Sequence, residues 1–188
     1  LVVTVTDQAG KSRRQVADAL GRIIRVDEPN DSGVLGSVGS PNQPTYYEYD
    51  GNDNLAKVTQ SDGTNTQERL FKYDSLSRMT HERQVEAITT LDDDGEVVTP
   101  TSTTWTGVYK YNADSLLIEG FDARGVKSEF DYDGFNRISS VTFTGESGYQ
   151  TPTVTYTYDQ TESGFYNHGR LTKIETESNG TYGVPATA

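Results

Sequence analysis

A four-residue pattern, aromatic-x-aromatic followed by Asp or Asn, returns five times along this chain and limits what it can fold into. It reads Tyr47-Glu48-Tyr49-Asp50, Phe71-Lys72-Tyr73-Asp74, Tyr109-Lys110-Tyr111-Asn112, Phe130-Asp131-Tyr132-Asp133 and Tyr156-Thr157-Tyr158-Asp159. The pairs use ten of the eighteen Tyr and Phe residues, so the rings are placed by rule. Val16-Ala17-Asp18 is an earlier copy without rings. Downstream of the acid a second element recurs: Gly21-Arg22-Ile23, Ser77-Arg78-Met79, Asn136-Arg137-Ile138 and, late, Gly169-Arg170-Leu171. Asp53-Asn54-Leu55 and Ser115-Leu116-Leu117 hold the same place without Arg. Motif acids 24 residues apart (Asp50 to Asp74), 21 (Asn112 to Asp133) and 26 (Asp133 to Asp159) mark a stacked repeat.

Each unit reads as a hairpin. Residues two apart on a strand share a face, so each ring pair lines one side. Asp then opens a tight turn, because its carboxylate reaches backbone amides just ahead. Gly, Asn or Ser at the end of the turn tolerates positive φ. The outgoing strand turns its aliphatics inward, as in Leu55-Ala56-Lys57-Val58 and Ile138-Ser139-Ser140-Val141. Asp62-Gly63 and Asp122-Ala123-Arg124-Gly125 send the chain back. The expectation is an all-β chain of antiparallel hairpins, with one buried and one polar face, in a single array over 1–188.

Three stretches break the period. The irregular loop 27–45 holds three Pro and three Gly and is too long for a hairpin turn. The excursion 84–107 contains a hairpin turning at Asp93-Asp94-Gly95 and the only Trp, Trp105. The segment 160–167 expands a motif turn. Individual specificity is expected in these stretches.

The repeat resembles the YD repeat of RHS-repeat proteins, a group with bacterial RHS proteins, toxin-complex shell components and teneurins. The resemblance runs from about Asp7 to Ile174 and rests on the five motifs. It implies a long antiparallel sheet spiralling around a hollow shell, with the motif residues structural. Asp53-Asn54 and Ser115-Leu116 depart from the Gly-Arg usual in that family. The proline-rich and DPxGL-type motifs of the aspartic-protease core that closes many bacterial shells have no counterpart here.

Composition narrows the function. A formal charge of -12 disfavours nucleic acid as a partner. No apolar run approaches membrane-spanning length, so no membrane insertion is expected of this segment. Without Cys, disulfides, thiolate zinc sites and cysteine nucleophiles are excluded. The opening LVVTVTDQAG, already strand-like and without Met, reads as part of a longer chain. Asn30-Asp31-Ser32 and Asn179-Gly180-Thr181 match the glycosylation sequon, a pattern short enough to arise by chance.

The candidates for chemistry all have plainer readings. Asp50, Asp74, Asp133 and Asp159 sit at equivalent corners, which suits turn formation better than a single catalytic pair. Asp92-Asp93-Asp94-Gly95-Glu96 offers clustered oxygens for calcium but lacks the alternating spacing of an EF-hand loop, and reads as a solvated turn. His81 and His168, the only histidines, have no nucleophile motif beside them and read as structural. Arg22, Arg78, Arg137 and Arg170 can each pair with a motif acid or lie across a ring. Trp105 reads as an anchor for the excursion, with a sugar-stacking platform as the alternative. No cofactor, metal or catalytic residue is expected. The expected function is a structural, non-enzymatic segment of a large secreted or cell-surface bacterial protein, whose partners are neighbouring repeats, copies of itself or other surface proteins. The alternative is an extracellular adhesion or self-assembling module that uses exposed sheet edges such as Leu1–Val5; a carbohydrate-active enzyme is the weakest reading.

Overall fold

A computed structural model describes residues 1–85, 89–101, 103–145, 151–161 and 163–177. The chain forms two compact units, Leu1–Glu86 and Ala87–Ala188. The first contains β1 (Val2–Thr6), β2 (Ser12–Ala17), β3 (Ile23–Glu28), β4 (Gln43–Tyr49), β5 (Leu55–Ser61), β6 (Thr66–Tyr73) and β7 (Met79–Arg83). Each pairs antiparallel with the next in chain order. The second contains the two-residue strands β8 (Thr90–Leu91) and β9 (Val97–Val98), followed by β10 (Gly107–Tyr111), β11 (Leu117–Asp122), β12 (Lys127–Tyr132), β13 (Ile138–Thr144), β14 (Thr153–Tyr158) and β15 (Leu171–Glu177). There β8 pairs with β9, and β10 to β15 form a meander like that of the first unit. No helix occurs among the described residues. The fold is all-β and built of antiparallel hairpins, as the motif spacing predicts.

Period-2 alternation places the first ring of a motif directly against an aliphatic of the outgoing strand. Tyr47 faces Val58, Phe130 faces Val141 and Tyr156 faces Ile174. Aromatic and β-branched partners are a favourable cross-strand pair. Val58 and Val141 are buried, while the rings themselves are half-buried. The ring face is therefore less deeply buried than expected: each meander is one layer thick, and a ring covers its neighbour's valine but is itself covered only in part.

The opposite face is closed by the excursions. In the first unit β3 runs on to Glu28 and β4 begins at Gln43, so the strands reach further into 27–45 than its composition suggests. Pro44 is accommodated at the second position of β4, where a missing N–H is tolerated. The remaining loop is tied down from below by charge. Asp27 is fully buried, and Arg14 Nε donates to its Oδ2 at 2.6 Å. Arg25 Nε lies 2.8 Å from Asp27 Oδ1, off the hydrogen-bond axis. The two guanidiniums then donate to three successive loop carbonyls: Arg14 to Gly36 at 3.2 Å and Ser37 at 2.9 Å, and Arg25 to Val38 at 2.7 Å. Gly36 has φ 75°, and a Cβ there would lie 2.5 Å from the Ser40 carbonyl, so the loop's closest turn requires glycine.

In the second unit the β8–β9 hairpin lies over the face opposite Tyr109 and Tyr111. Leu91 and Val108 are fully buried there. A Cβ on Gly95 would sit 2.7 Å from the Phe121 ring, so the hairpin tip rests directly on that ring. Trp105 exchanges both backbone hydrogen bonds with Leu91, at 2.7 and 2.8 Å, and its indole donates to Asp93 at 2.6 Å. It anchors the hairpin through an isolated bridge just before β10.

Removing Asp27 would leave two largely buried guanidiniums without a counter-charge. Asp27→Ala should cost about 3–5 kcal/mol in urea denaturation and should release the amides of the 29–42 loop to hydrogen exchange. A loss below about 1 kcal/mol would show that the Arg–Asp–Arg cluster is not what holds the loop.

Candidate functional site

The recurrent corner is shared by both units. At Asp133 the backbone N–H donates to the Arg137 carbonyl at 2.9 Å and Asn136 N–H returns to the Asp133 carbonyl at 3.0 Å. Asp133 Oδ1 accepts the amides of Phe135 at 2.8 Å and Arg137 at 3.0 Å. Asp50 and Asp74 form the same turn, accepting Asn52 and Asn54, and Leu76 and Arg78. Asn112 accepts Leu116 at 2.9 Å. The residue three beyond each acid is left-handed: Asp53 at φ 65°, Ser77 at 60°, Ser115 at 64° and Asn136 at 60°. This is a type I turn followed by a left-handed bulge residue. The ladder slips by one residue at the second ring every time, at Tyr49, Tyr73, Tyr111, Tyr132 and Tyr158.

The turn is more widely used than the ring motif. Asp7, Asn30, Asp92 and Asp122 close with the same pair of backbone bonds, and Gly10, Gly33, Gly95 and Gly125 take the left-handed position. Asp92 Oδ1 accepts three amides, those of Asp94, Gly95 and Glu96. Two of the oxygens considered for calcium are thus engaged within the hairpin, Asp92 Oδ1 by these amides and Asp93 Oδ1 by the indole of Trp105. Among the described residues no three His, Asp or Glu side chains gather at metal-binding distance. Asp159 is the exception: it is itself left-handed at φ 59°, and its N–H reaches across the expanded turn to the Arg170 carbonyl at 3.1 Å.

The second carboxylate oxygen holds the motif Arg. Arg22, Arg78 and Arg137 donate from Nε to Asp18, Asp74 and Asp133 at 2.8, 2.6 and 2.7 Å. The guanidinium also reaches the next motif. Arg137 lies 4.2 Å from the Tyr158 ring centre and 2.8 Å from Asp159 Oδ2. Arg22 lies 4.9 Å from the Tyr49 ring centre and pairs with Asp53. The second Tyr then donates its hydroxyl to the carbonyl of the residue after the preceding motif's Arg position: Tyr49 to Ile23 and Tyr132 to Leu117, each at 2.8 Å, and Tyr158 to Ile138 at 3.0 Å. The sequence offers ion pairing or ring stacking for these arginines; the geometry uses both at once. Where Arg is absent the corner is adjusted: Asn54 Nδ2 donates to Asp50 Oδ2 at 3.0 Å, and Leu116 stands behind the uncharged Asn112.

Several groups fall outside this scheme. His81 is buried with Nδ1 2.9 Å from the Thr80 hydroxyl, and His168 is exposed. The second sequon, at Asn179, lies outside the described residues. Sequence reasoning missed the Arg14–Asp27–Arg25 cluster and the cross-strand ion ladder in which Lys127 joins Glu119 at 3.4 Å and Glu129 at 2.7 Å. The signal for both was alternation within the strands, which places charge at every second position.

These corners match a known repeat. The Teneurin YD-shell family matches residues 18–151, about seven-tenths of the chain. The chain belongs to the YD-shell family. Among solved structures it is similar to the Photorhabdus luminescens Tc holotoxin pore, at 14% identity and TM-score 0.39, over 95% of this chain and 11% of that one. It is also similar to TcdB2-TccC3 without its hypervariable C-terminal region, at 14% identity and TM-score 0.48, over 90% of this chain and 9% of that one. The chain thus spans about a tenth of the length of these structures. No curated protein sequence matches it.

The carboxyls of Asp18, Asp50, Asp74, Asp133 and Asp159 are held below their ordinary range. At Asp133 desolvation pushes upward, but the Arg137 amide and guanidinium and the Phe135 amide outweigh it. Asp159 is lowered first by the Arg137 guanidinium and then by the Gly169 amide. Asp62, bonded by the amides of Asn65 and Thr64, falls to about 2. The unfolded chain, with carboxyls near about 4, therefore takes up protons first as the pH falls. The stability these groups contribute is complete above about pH 5 and is lost from there down to about pH 2. The melting temperature should be level from pH 7 to 5 and fall steadily below 4; an unchanged melt at pH 2.5 would contradict this assignment.

The ring contributions are separable. Tyr132→Phe keeps the ring and removes the bond to Leu117, and should cost about 1 kcal/mol in urea unfolding. Tyr132→Ala should cost no more than about 3 kcal/mol, the bottom of the range for a core ring, because Tyr132 is half-buried. Equal stability of both variants and the wild type would mean that the rings do not hold the hairpins together.

Proposed function

We propose that this chain is a non-catalytic stretch of wall in a much larger secreted or cell-surface protein, where it encloses or presents other parts of that polypeptide. The observation that carries this reading is the use of the corner acids. Asp18, Asp74 and Asp133 each hold turn amides with one oxygen and their own Arg with the other. A carboxylate so committed has no role left as a general acid or base, which would need a free proton-exchanging oxygen beside a substrate. What the corners supply is a link from each hairpin to the next, and a wall requires that. Its partners in this reading are neighbouring repeats.

A second reading, an adhesion or self-assembling module, is favoured by the first strand. Val2, Val3 and Val5 are 47%, 44% and 62% exposed on a strand that could accept another. Light scattering with negative-stain imaging separates the two. A monomer at millimolar concentration, inert in a screen of surface polysaccharides, is the expected result. Regular fibres or rings would favour the assembly module, and turnover of any glycan would end the non-catalytic reading.

A further inference from the structure

We draw no further inference here: the strongest candidate, the open groove that Gln43, Thr45, Gln60 and Gln67 line at the end of β4, β5 and β6 away from the Asp50 corner, is an unpartnered sheet face, and nothing in the structure shows what covers it.

Discussion

When Asp133 Oδ1 gathers the amides of Phe135 and Arg137, three things are fixed together. The chain reverses, the left-handed residue at Asn136 is held in place, and Oδ2 is left aimed at Arg137. The bulge that follows puts Tyr132 beside Ile138 out of strict register. It also aims the Tyr132 hydroxyl at the Leu117 carbonyl of the hairpin before. The carboxylate thus acts at two ranges, within its own turn through backbone bonds and on the neighbouring hairpin through the side chains that the turn positions. Strand pairing alone could not set this spacing, because an unbulged ladder would turn the hydroxyl away.

Most of this corner was legible in the sequence, because its parts lie within five residues. An Asp, two spacers, a residue that tolerates positive φ and an Arg are local chemistry, and local chemistry repeats where the fold repeats. Even the substitution at Asp53 was readable as an equivalent of Gly21, and both are left-handed. The interlock was not legible, since Arg22 and Tyr49 are brought together only when β3 pairs with β4. The Arg14–Asp27 pair was hidden for the same reason: the two residues are thirteen apart and become direct neighbours across the β2–β3 ladder. The 27–45 stretch misled through its Pro and Gly content. Proline and glycine report where a regular strand is difficult, and Pro44 sits where one is still possible.

The two excursions close the polar face by different physics. The 29–42 loop is held through its carbonyls by two guanidiniums around a buried carboxylate, an arrangement that needs every donor placed. The β8–β9 hairpin is held by apolar contact, with Leu91 and Val108 buried and Gly95 against Phe121. The first depends on charge balance and tolerates little substitution of type. The second depends on shape and tolerates little addition of volume.

The corners that lack Arg show what that residue contributes. Coupling between neighbouring hairpins has two parts, a hydroxyl-to-carbonyl bond and a guanidinium clamp. The first uses a backbone acceptor and survives the loss of Arg at one corner: Tyr132 bonds the Leu117 carbonyl although Leu116 has replaced Arg. The second depends on sequence, and its loss is felt electrostatically. At Asp50 the acid remains but Asn54 brings no charge, and the next ring, Tyr73, has its phenol pushed up by burial and then by the Asp50 charge. At Asn112 the acid and the Arg are both gone, and Tyr132 is pushed up by burial alone. Stacked repeats draw their stability from such nearest-neighbour terms, so the corners at Asp50 and Asn112 keep the turn but couple their hairpins without the guanidinium clamp.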